Sequence, residues 1–168
     1  DEVFVYNGPD DVNNMRRPRS TEADCYNYII SECKAAADLM TTSPNVHSAR
    51  ANRWTAKMLE ARAAIYAASL ATYNNRMTSP IHTVGGEVGI PASKAADYYQ
   101  TALAAAKDVI ENSPYKLQDA PSMRKGENFY NAVCIKDNNT EVIWARDYKK
   151  PTSTVRFSNL NIPSQFKD

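Results

Sequence analysis

The sequence lacks the features that mark several large classes of protein. Its longest apolar runs are far too short to span a bilayer, so no transmembrane helix is predicted. Its charges nearly cancel, with 20 Lys and Arg against 19 Asp and Glu, and this balance argues against a basic face for nucleic acid. We therefore expect neither a membrane-spanning protein nor a nucleic-acid-binding protein.

Residues that carry catalysis or bind metals are also scarce. The two histidines, His47 and His82, lie in separate predicted loops, and neither a Ser-His-Asp order nor a glycine-rich phosphate loop is present. Cys25 and Cys33 stand about 12 Å apart along one predicted helix, which is too far for a disulfide. Cys134 is isolated, and no Cys or His occurs at metal-ligand spacing. We predict no catalytic residue, no metal and no cofactor, and we interpret the cysteines as buried apolar thiols.

The first residues have turn chemistry and a basic run. The opening stretch, DEVFVYNGPDD, has no charged-then-apolar export pattern, which leaves open a cytosolic protein or one whose leader has been removed. The run RRPR at 16–19 is interpreted as a solvated arm, with an anion site as the alternative.

Apolar periodicity, capping residues and prolines predict four helices. They cover about residues 21–40, 50–75, 93–112 and 127–135. The first begins at a Ser20 or Thr21 cap. The second carries small side chains on nearly its whole surface, which predicts packing on more than one side. The third carries two adjacent apolar stripes that together form a wide face: Tyr98, Ala102, Ala105 and Val109, and beside them Tyr99, Leu103, Ala106 and Ile110.

The remaining segments are predicted to be a strand and loops. The alternation in TEVIWARDY predicts a strand over about 141–147. The long connection 74–91 is interpreted as a variable surface insertion, with a functional loop as the alternative. The tail after residue 148 has no periodicity and is predicted to be loop.

Alanine fills many core-facing positions of the second and third helices, where a small side chain lets two helices approach closely. Ala95, Tyr99 and Ala102 match the Ala-x-x-x-aromatic-x-x-Ala spacing of tetratricopeptide repeats. Ala61 and Trp54 are assigned to the helix contacts of the second helix. The predicted fold is one mainly α domain over 1–168, with tetratricopeptide-like antiparallel helices, a short strand or hairpin and long loops.

Four segments in order are similar to the SusD/RagB family. They are RPRSTEADCYNYIISECKAAADLM, RWTAKMLEARAAIYAASLA, YYQTALAAAKDVIENSPYKL and NFYNAVCIKDNNTEVIWARDY, and they cover roughly residues 16–148. Each segment alone is mostly alanine and aliphatic pattern, but the ordered set resembles the helical core of that family.

The resemblance implies a fold and a function. It implies a SusD-like α/α superhelical core and a chain that is the central part of a longer protein. SusD/RagB proteins are non-catalytic lipoproteins on the outer surface of the Bacteroidota outer membrane. They bind glycans, or peptides in some branches, and pass them to a TonB-dependent, SusC-like transporter. The expected role is therefore carbohydrate binding in nutrient uptake, with the membrane reached only through a lipid anchor outside this chain.

Aromatic rings beside planar polar groups are the chemistry that binds sugars. Trp144, Arg146 and Tyr148 have this chemistry and are the candidate ligand-binding residues, although Trp144 has an alternative role in packing the strand against the helices. Tyr66 and Tyr73 are interpreted as core or interface residues. A second functional hypothesis is a helical-repeat scaffold that docks a protein and binds no small ligand.

Overall fold

The structure, a computed structural model, describes residues 18–40, 50–74, 76–79, 83–119, 126–134 and 139–145. These residues form four α-helices and one short 3₁₀ helix, and no strand occurs among them. The predicted mainly α class is therefore confirmed, while its tetratricopeptide-like detail stays a prediction.

Helix α1 spans Glu22–Leu39 and begins where the capping residues predict. The side chain of Thr21 accepts a hydrogen bond from the Asp24 backbone N–H at 3.0 Å, which satisfies one of the unpaired donors of the first turn. Glu22 and Asp24 place negative charge at the positive end of the helix dipole. The face turned to the core carries Ala23, Ile30, Cys33 and Ala37.

Helix α2 spans Arg53–Asn74 and lies between α1 and α3. Seven of its alanines are buried: Ala56, Ala61, Ala63, Ala64, Ala67, Ala68 and Ala71. These methyl groups form one broad side of the helix, against which two neighbouring helices pack closely, whereas the opposite side carries exposed residues such as Met58 and Tyr66. The prediction of packing on more than one side is confirmed, since both α1 and α3 contact α2.

Polar contacts at the helix ends fix the directions of the three helices. Arg53, at the start of α2, lies 3.7 Å from Asp38 near the end of α1 and 3.8 Å from Asp108 near the end of α3. At the other end of α2, the hydroxyls of Thr72 and Tyr99 are 3.5 Å apart. Helix α2 is therefore antiparallel to both neighbours.

Helix α3 spans Ala95–Asn112 and follows the 3₁₀ helix Ala92–Lys94. Its first predicted stripe is confirmed, since its four residues are the buried ones of this helix. The second stripe is largely exposed, since Tyr99, Leu103 and Ile110 are exposed at 41%, 61% and 78%. The first stripe faces α2 and α1, and no described element covers the second stripe fully, so the wide apolar face remains half open.

Helix α4 spans Glu127–Cys134 and buries none of its residues. The sequence pattern of this segment predicts that Phe129, Tyr130 and Val133 point inward, and this prediction is wrong because all three are exposed. Tyr66 and Tyr73 on α2 are likewise exposed, which contradicts a core position for them, while the interface alternative stays a prediction.

The strand predicted over 141–147 is wrong for residues 141–145, which have irregular backbone. Asn139 supplies the reason, because its Oδ1 accepts hydrogen bonds from the N–H groups of Glu141 at 3.0 Å and Val142 at 3.3 Å. These local bonds occupy donors that a strand would present to a neighbouring strand. Arg146 and Asp147 lie outside the described residues.

The described part of the 74–91 connection packs against α1. The Glu22 N–H donates to the Gly86 carbonyl at 3.1 Å, and the Gly89 N–H donates to the Glu22 carboxylate at 2.6 Å. Gly86 and Gly89 have φ of 75° and 91°, a left-handed backbone that favours glycine. Ile90, 1% exposed, anchors this loop in the core. His82 lies outside the described residues.

Candidate functional site

An open groove of about 950 Å³ runs along one side of α2 and α3. Its lining from α2 is Thr55, Met58, Leu59, Ala61, Arg62 and Ile65. Its lining from α3 is Tyr99, Ala102, Leu103 and Ala106. Residues 139–145, which we call the wall segment, contribute Glu141, Val142, Ile143 and Trp144.

The groove exists because small residues alternate with large ones on facing helices. Ala61 and Ala102 are each 7% exposed and lie where α2 and α3 are in contact. Larger side chains beside them, including Ile65 and Leu103, remain at least half exposed. The alanines thus bring the helices together, while their bulkier neighbours have no partner among the described residues that covers them fully.

Hydrogen bonds to two other parts of the chain hold the wall segment in place. The Lys116 N–H donates to the Thr140 carbonyl, and the Thr140 hydroxyl donates to the Lys116 carbonyl, both at 3.0 Å. The amide of Asn139 donates to the carbonyls of Asn131 at 3.2 Å and Ala132 at 2.9 Å in α4. The wall segment is therefore tied both to the chain after α3 and to α4.

The polar groups of the groove lie among these apolar surfaces. Arg62 and Glu141 are exposed and carry opposite charges. The Glu141 carboxylate accepts a hydrogen bond from the Gln118 N–H at 3.1 Å, which orients the side chain. With the hydroxyls of Tyr99 and Thr55, the groove offers cationic and anionic groups and two hydroxyls to a polar ligand.

The structure brings several sequence-predicted residues together. Trp144, predicted to bind ligand, is 60% exposed and shares the groove with Ala61, Tyr99 and Ala102, which were assigned to helix packing. Arg146 and Tyr148, the other two ligand-binding candidates, lie outside the described residues.

The other two helix-packing candidates lie elsewhere. Ala95 is half-buried and packs against the core cluster. Trp54 is 4% exposed, and the guanidinium of Arg53 lies 5.7 Å from its ring centroid. Its indole N–H has no hydrogen-bond partner in the described part of the chain.

Asn52 and Tyr115 are hydrogen-bonded to each other and are not among the sequence-predicted site residues. Asn52 precedes α2, and its side chain donates to the Tyr115 hydroxyl at 2.7 Å. An asparagine just before an apolar-periodic segment is a helix-capping signal, so the capping role could be found from sequence. The partner could not, because 63 residues separate the two.

A second cavity, of about 550 Å³, lies between the start of α1 and the loop 83–94. The first turn of α1 carries its own negative charges, Glu22 and Asp24, and the Glu22 carboxylate, which does not line this cavity, accepts a hydrogen bond from the Gly89 N–H. The negative charge expected at a helix N-terminus is thus supplied by the protein itself.

Burial raises the pKa of groups in and beside the helical core, among them Cys33 and Tyr98. It raises the pKa of the Cys33 thiol, and the charges of Glu60 and Glu32 raise it further. Burial also raises the pKa of the Tyr98 hydroxyl, and the charge of Asp24 raises it further. Both groups are therefore held in their neutral forms. Cys33 fits the prediction of buried thiols, whereas Cys25 and Cys134 are exposed and do not.

The described residues contain neither a metal-binding cluster nor a membrane-spanning helix, and the chain matches none of the proteins compared with it. No group of three or more His, Cys, Asp or Glu is placed to hold a metal ion within the described ranges. None of the helices described here has the length and apolarity needed to cross a bilayer. Comparisons with protein families, curated proteins and solved structures find no match to this chain.

Proposed function

We propose that this chain is a non-catalytic binding protein that captures an oligosaccharide in the α2–α3 groove. The observation that carries the proposal is the position of Trp144, which is 60% exposed and lines the groove together with Tyr99. An exposed indole can stack on the apolar face of a pyranose ring. Arg62 and Glu141 supply donors and acceptors for sugar hydroxyls.

The size of the groove is consistent with this ligand. Small-molecule sites are clefts of about 300–1,000 Å³ that combine an apolar lining with a few polar groups. The volume of about 950 Å³ lies at the upper end of that range, where several sugar units fit.

The biological setting of the proposal comes from the resemblance to SusD/RagB proteins. We propose a lipid-anchored position on the outer surface of the outer membrane and delivery of the glycan to a TonB-dependent, SusC-like transporter. The support is the order of the four segments over roughly residues 16–148, together with the helices that the described residues of these segments form.

A second candidate is a scaffold that docks a protein helix in the same groove. It is favoured by the aliphatic part of the lining, since Leu59, Ile65 and Leu103 are at least half exposed. Such side chains fit the apolar face of an amphipathic helix, which places anchors at i, i+3, i+4 and i+7.

Isothermal titration calorimetry of the whole chain with a panel of neutral and acidic oligosaccharides tests the first candidate. Trp144→Ala is expected to weaken binding about fivefold or more, which corresponds to loss of a stacking contact worth about 1 kcal/mol. The matched control is Tyr130→Ala, which removes an exposed aromatic of α4 outside the groove lining.

The two candidates give different results. Absence of binding to every oligosaccharide, or equal effects of the Trp144 and Tyr130 variants, would contradict the glycan proposal. Under the second candidate, a synthetic amphipathic helical peptide binds instead, and Leu103→Glu abolishes its binding.

A further inference from the structure

The wall segment is connected to the start of α2 through the side chain of Tyr115. The Asn52 amide donates to the Tyr115 hydroxyl at 2.7 Å. The same hydroxyl donates to the Ile143 carbonyl over a longer distance of 3.5 Å. Because Ile143 directly precedes Trp144, this chain of bonds ends next to the aromatic residue of the groove.

The Asn52 side chain, which makes the first of these hydrogen bonds, is itself held in place by the backbone. Asn52 is 2% exposed, and its Oδ1 accepts from the N–H groups of Trp54 and Thr55, both at 3.0 Å. These bonds cap α2 and fix the plane of the carboxamide. A fixed plane also fixes the direction of the Nδ2 donor, so the geometry of the helix start determines where the Tyr115 hydroxyl lies.

The residues that follow Tyr115 are hydrogen-bonded to the wall segment. Residues 116–118 run beside 140–141 and make the two Lys116–Thr140 bonds and the bond from Gln118 to Glu141. Since Tyr115 immediately precedes these residues, anchoring its ring also anchors their pairing. The position of Glu141 in the groove follows from the same arrangement.

We infer that Asn52 and Tyr115 are positioning residues for the groove, which hold the wall segment and so place Trp144 and Glu141 beside α2 and α3. Neither Asn52 nor Tyr115 lines the groove. The claim about the position of the wall segment is independent of any ligand, whereas its consequence for ligand affinity rests on the proposed function.

Fluorine NMR can observe the wall segment directly, because the sequence has two tryptophans, Trp54 and Trp144. Labelling with 5-fluorotryptophan gives one resonance for each, and Trp144→Phe assigns them. Tyr115→Phe removes the hydroxyl but keeps the ring. We expect it to shift or broaden the Trp144 resonance and leave that of Trp54 in place. The control Tyr130→Phe, which deletes an exposed hydroxyl on α4, is expected to move neither.

A second variant separates positioning from helix capping. Asn52→Ser keeps a good capping side chain but removes the Nδ2 donor. We expect unchanged helix content by circular dichroism and the same shift of the Trp144 resonance. If the Trp144 resonance does not move in either variant, or if Tyr115→Phe moves the Trp54 resonance as much as that of Trp144, the positioning role is overturned.

The effect on ligand affinity is measured by calorimetry of both variants with the oligosaccharide that the parent chain binds best. Loss of a hydrogen bond, of which Asn52→Ser removes one and Tyr115→Phe two, is expected to favour a displaced wall segment about fivefold for each bond. Ligand affinity should fall in proportion to the displaced population that the Trp144 resonance reports. Unchanged affinity despite a shifted Trp144 resonance overturns the link to ligand binding. If no oligosaccharide binds at all, the proposed function fails, and the NMR result alone decides whether Asn52 and Tyr115 position the wall segment.

Discussion

The carboxylate of Glu60 lies inside the helical core, 3.1 Å from the ammonium nitrogen of Lys57. The Glu60 side chain is 3% exposed and the Lys57 side chain 16% exposed. A second ammonium, that of Lys34, lies 3.8 Å away but is 52% exposed. A buried carboxylate that loses its partner is strongly destabilising, so the two lysines have unequal importance for stability.

Replacement of the nearer lysine is expected to destabilise the fold more than replacement of the farther one. Lys57→Met should lower the free energy of unfolding by about 1–3 kcal/mol, because it removes a charge-assisted hydrogen bond from a buried group. Lys34→Met should cost less than about 1 kcal/mol, since solvent screens an exposed pair. Urea denaturation followed by circular dichroism measures both.

A double variant tests the reason for this difference. Lys57→Met combined with Glu60→Met removes both charges and should recover much of the stability lost in Lys57→Met alone. Equal losses in the two single lysine variants, or no recovery in the double variant, would contradict the role assigned to the buried carboxylate.

Close packing at the alanines of α3 can be tested at two neighbouring positions. Ala105 is 2% exposed, whereas the adjacent Ala104 is exposed. Ala105→Leu is expected to cost about 1–3 kcal/mol, because the added atoms have no space at the helix contact. Ala104→Leu should change stability by less than about 0.5 kcal/mol. A melting temperature unaffected by Ala105→Leu would remove that residue from the helix contact.

The three cysteines should react at different rates in the native protein. Cys33 is buried, and burial raises the pKa of its thiol, so less of the reactive thiolate is present at any pH. At about pH 8, near the ordinary thiol pKa, iodoacetamide should modify Cys25 and Cys134 and leave Cys33 intact. Peptide mapping by mass spectrometry gives the sites, and all three should react in urea.

The same pKa shift gives a direction for stability. The folded state favours the neutral thiol of Cys33. The contribution of this thiol to the free energy of unfolding is therefore present below the pKa of the unfolded state and is lost as the pH rises through the raised pKa of the folded state. Native-state alkylation of Cys33 as fast as that of Cys25 would contradict its burial.

The loop 83–90 contains a carboxyl group with the opposite shift. The Thr83 hydroxyl donates to the Glu87 carboxylate, and this bond is the main cause that lowers the pKa of Glu87, with smaller effects from backbone N–H groups. The ionised Glu87 therefore contributes to loop stability above its unfolded-state pKa of about 4.3, and this contribution is lost as the pH falls through the lowered pKa of the folded state.

Carbon-detected NMR titration of Glu87 measures this shift. We expect a pKa below the ordinary range in the parent chain and a return toward that range in Thr83→Ala. Thr83→Ser keeps the hydroxyl and should keep the low pKa. If the serine and alanine variants titrate alike, the hydroxyl is not the cause.

Local sequence signals predicted the helices because their causes are local. The Thr21 cap and the acidic first turn determine where α1 begins, and the Tyr98–Val109 stripe marks the buried side of α3. The same reasoning does not decide whether Leu103 and Ile110 are buried, because periodicity identifies an apolar face but not whether anything covers it. It fails at 141–145, where the Asn139 side chain outcompetes a β-rich pattern.

The amino-acid order by itself determined the helical class, the approximate helix ranges and the alanines that permit close contact, since each depends on neighbours within a turn or two. Only the tertiary structure decided which apolar stripe is buried and where the groove lies. It alone brought Asn52 next to Tyr115 across 63 residues. Contacts between segments far apart in the chain depend on how whole helices pack, and no periodic pattern within one segment specifies its partner.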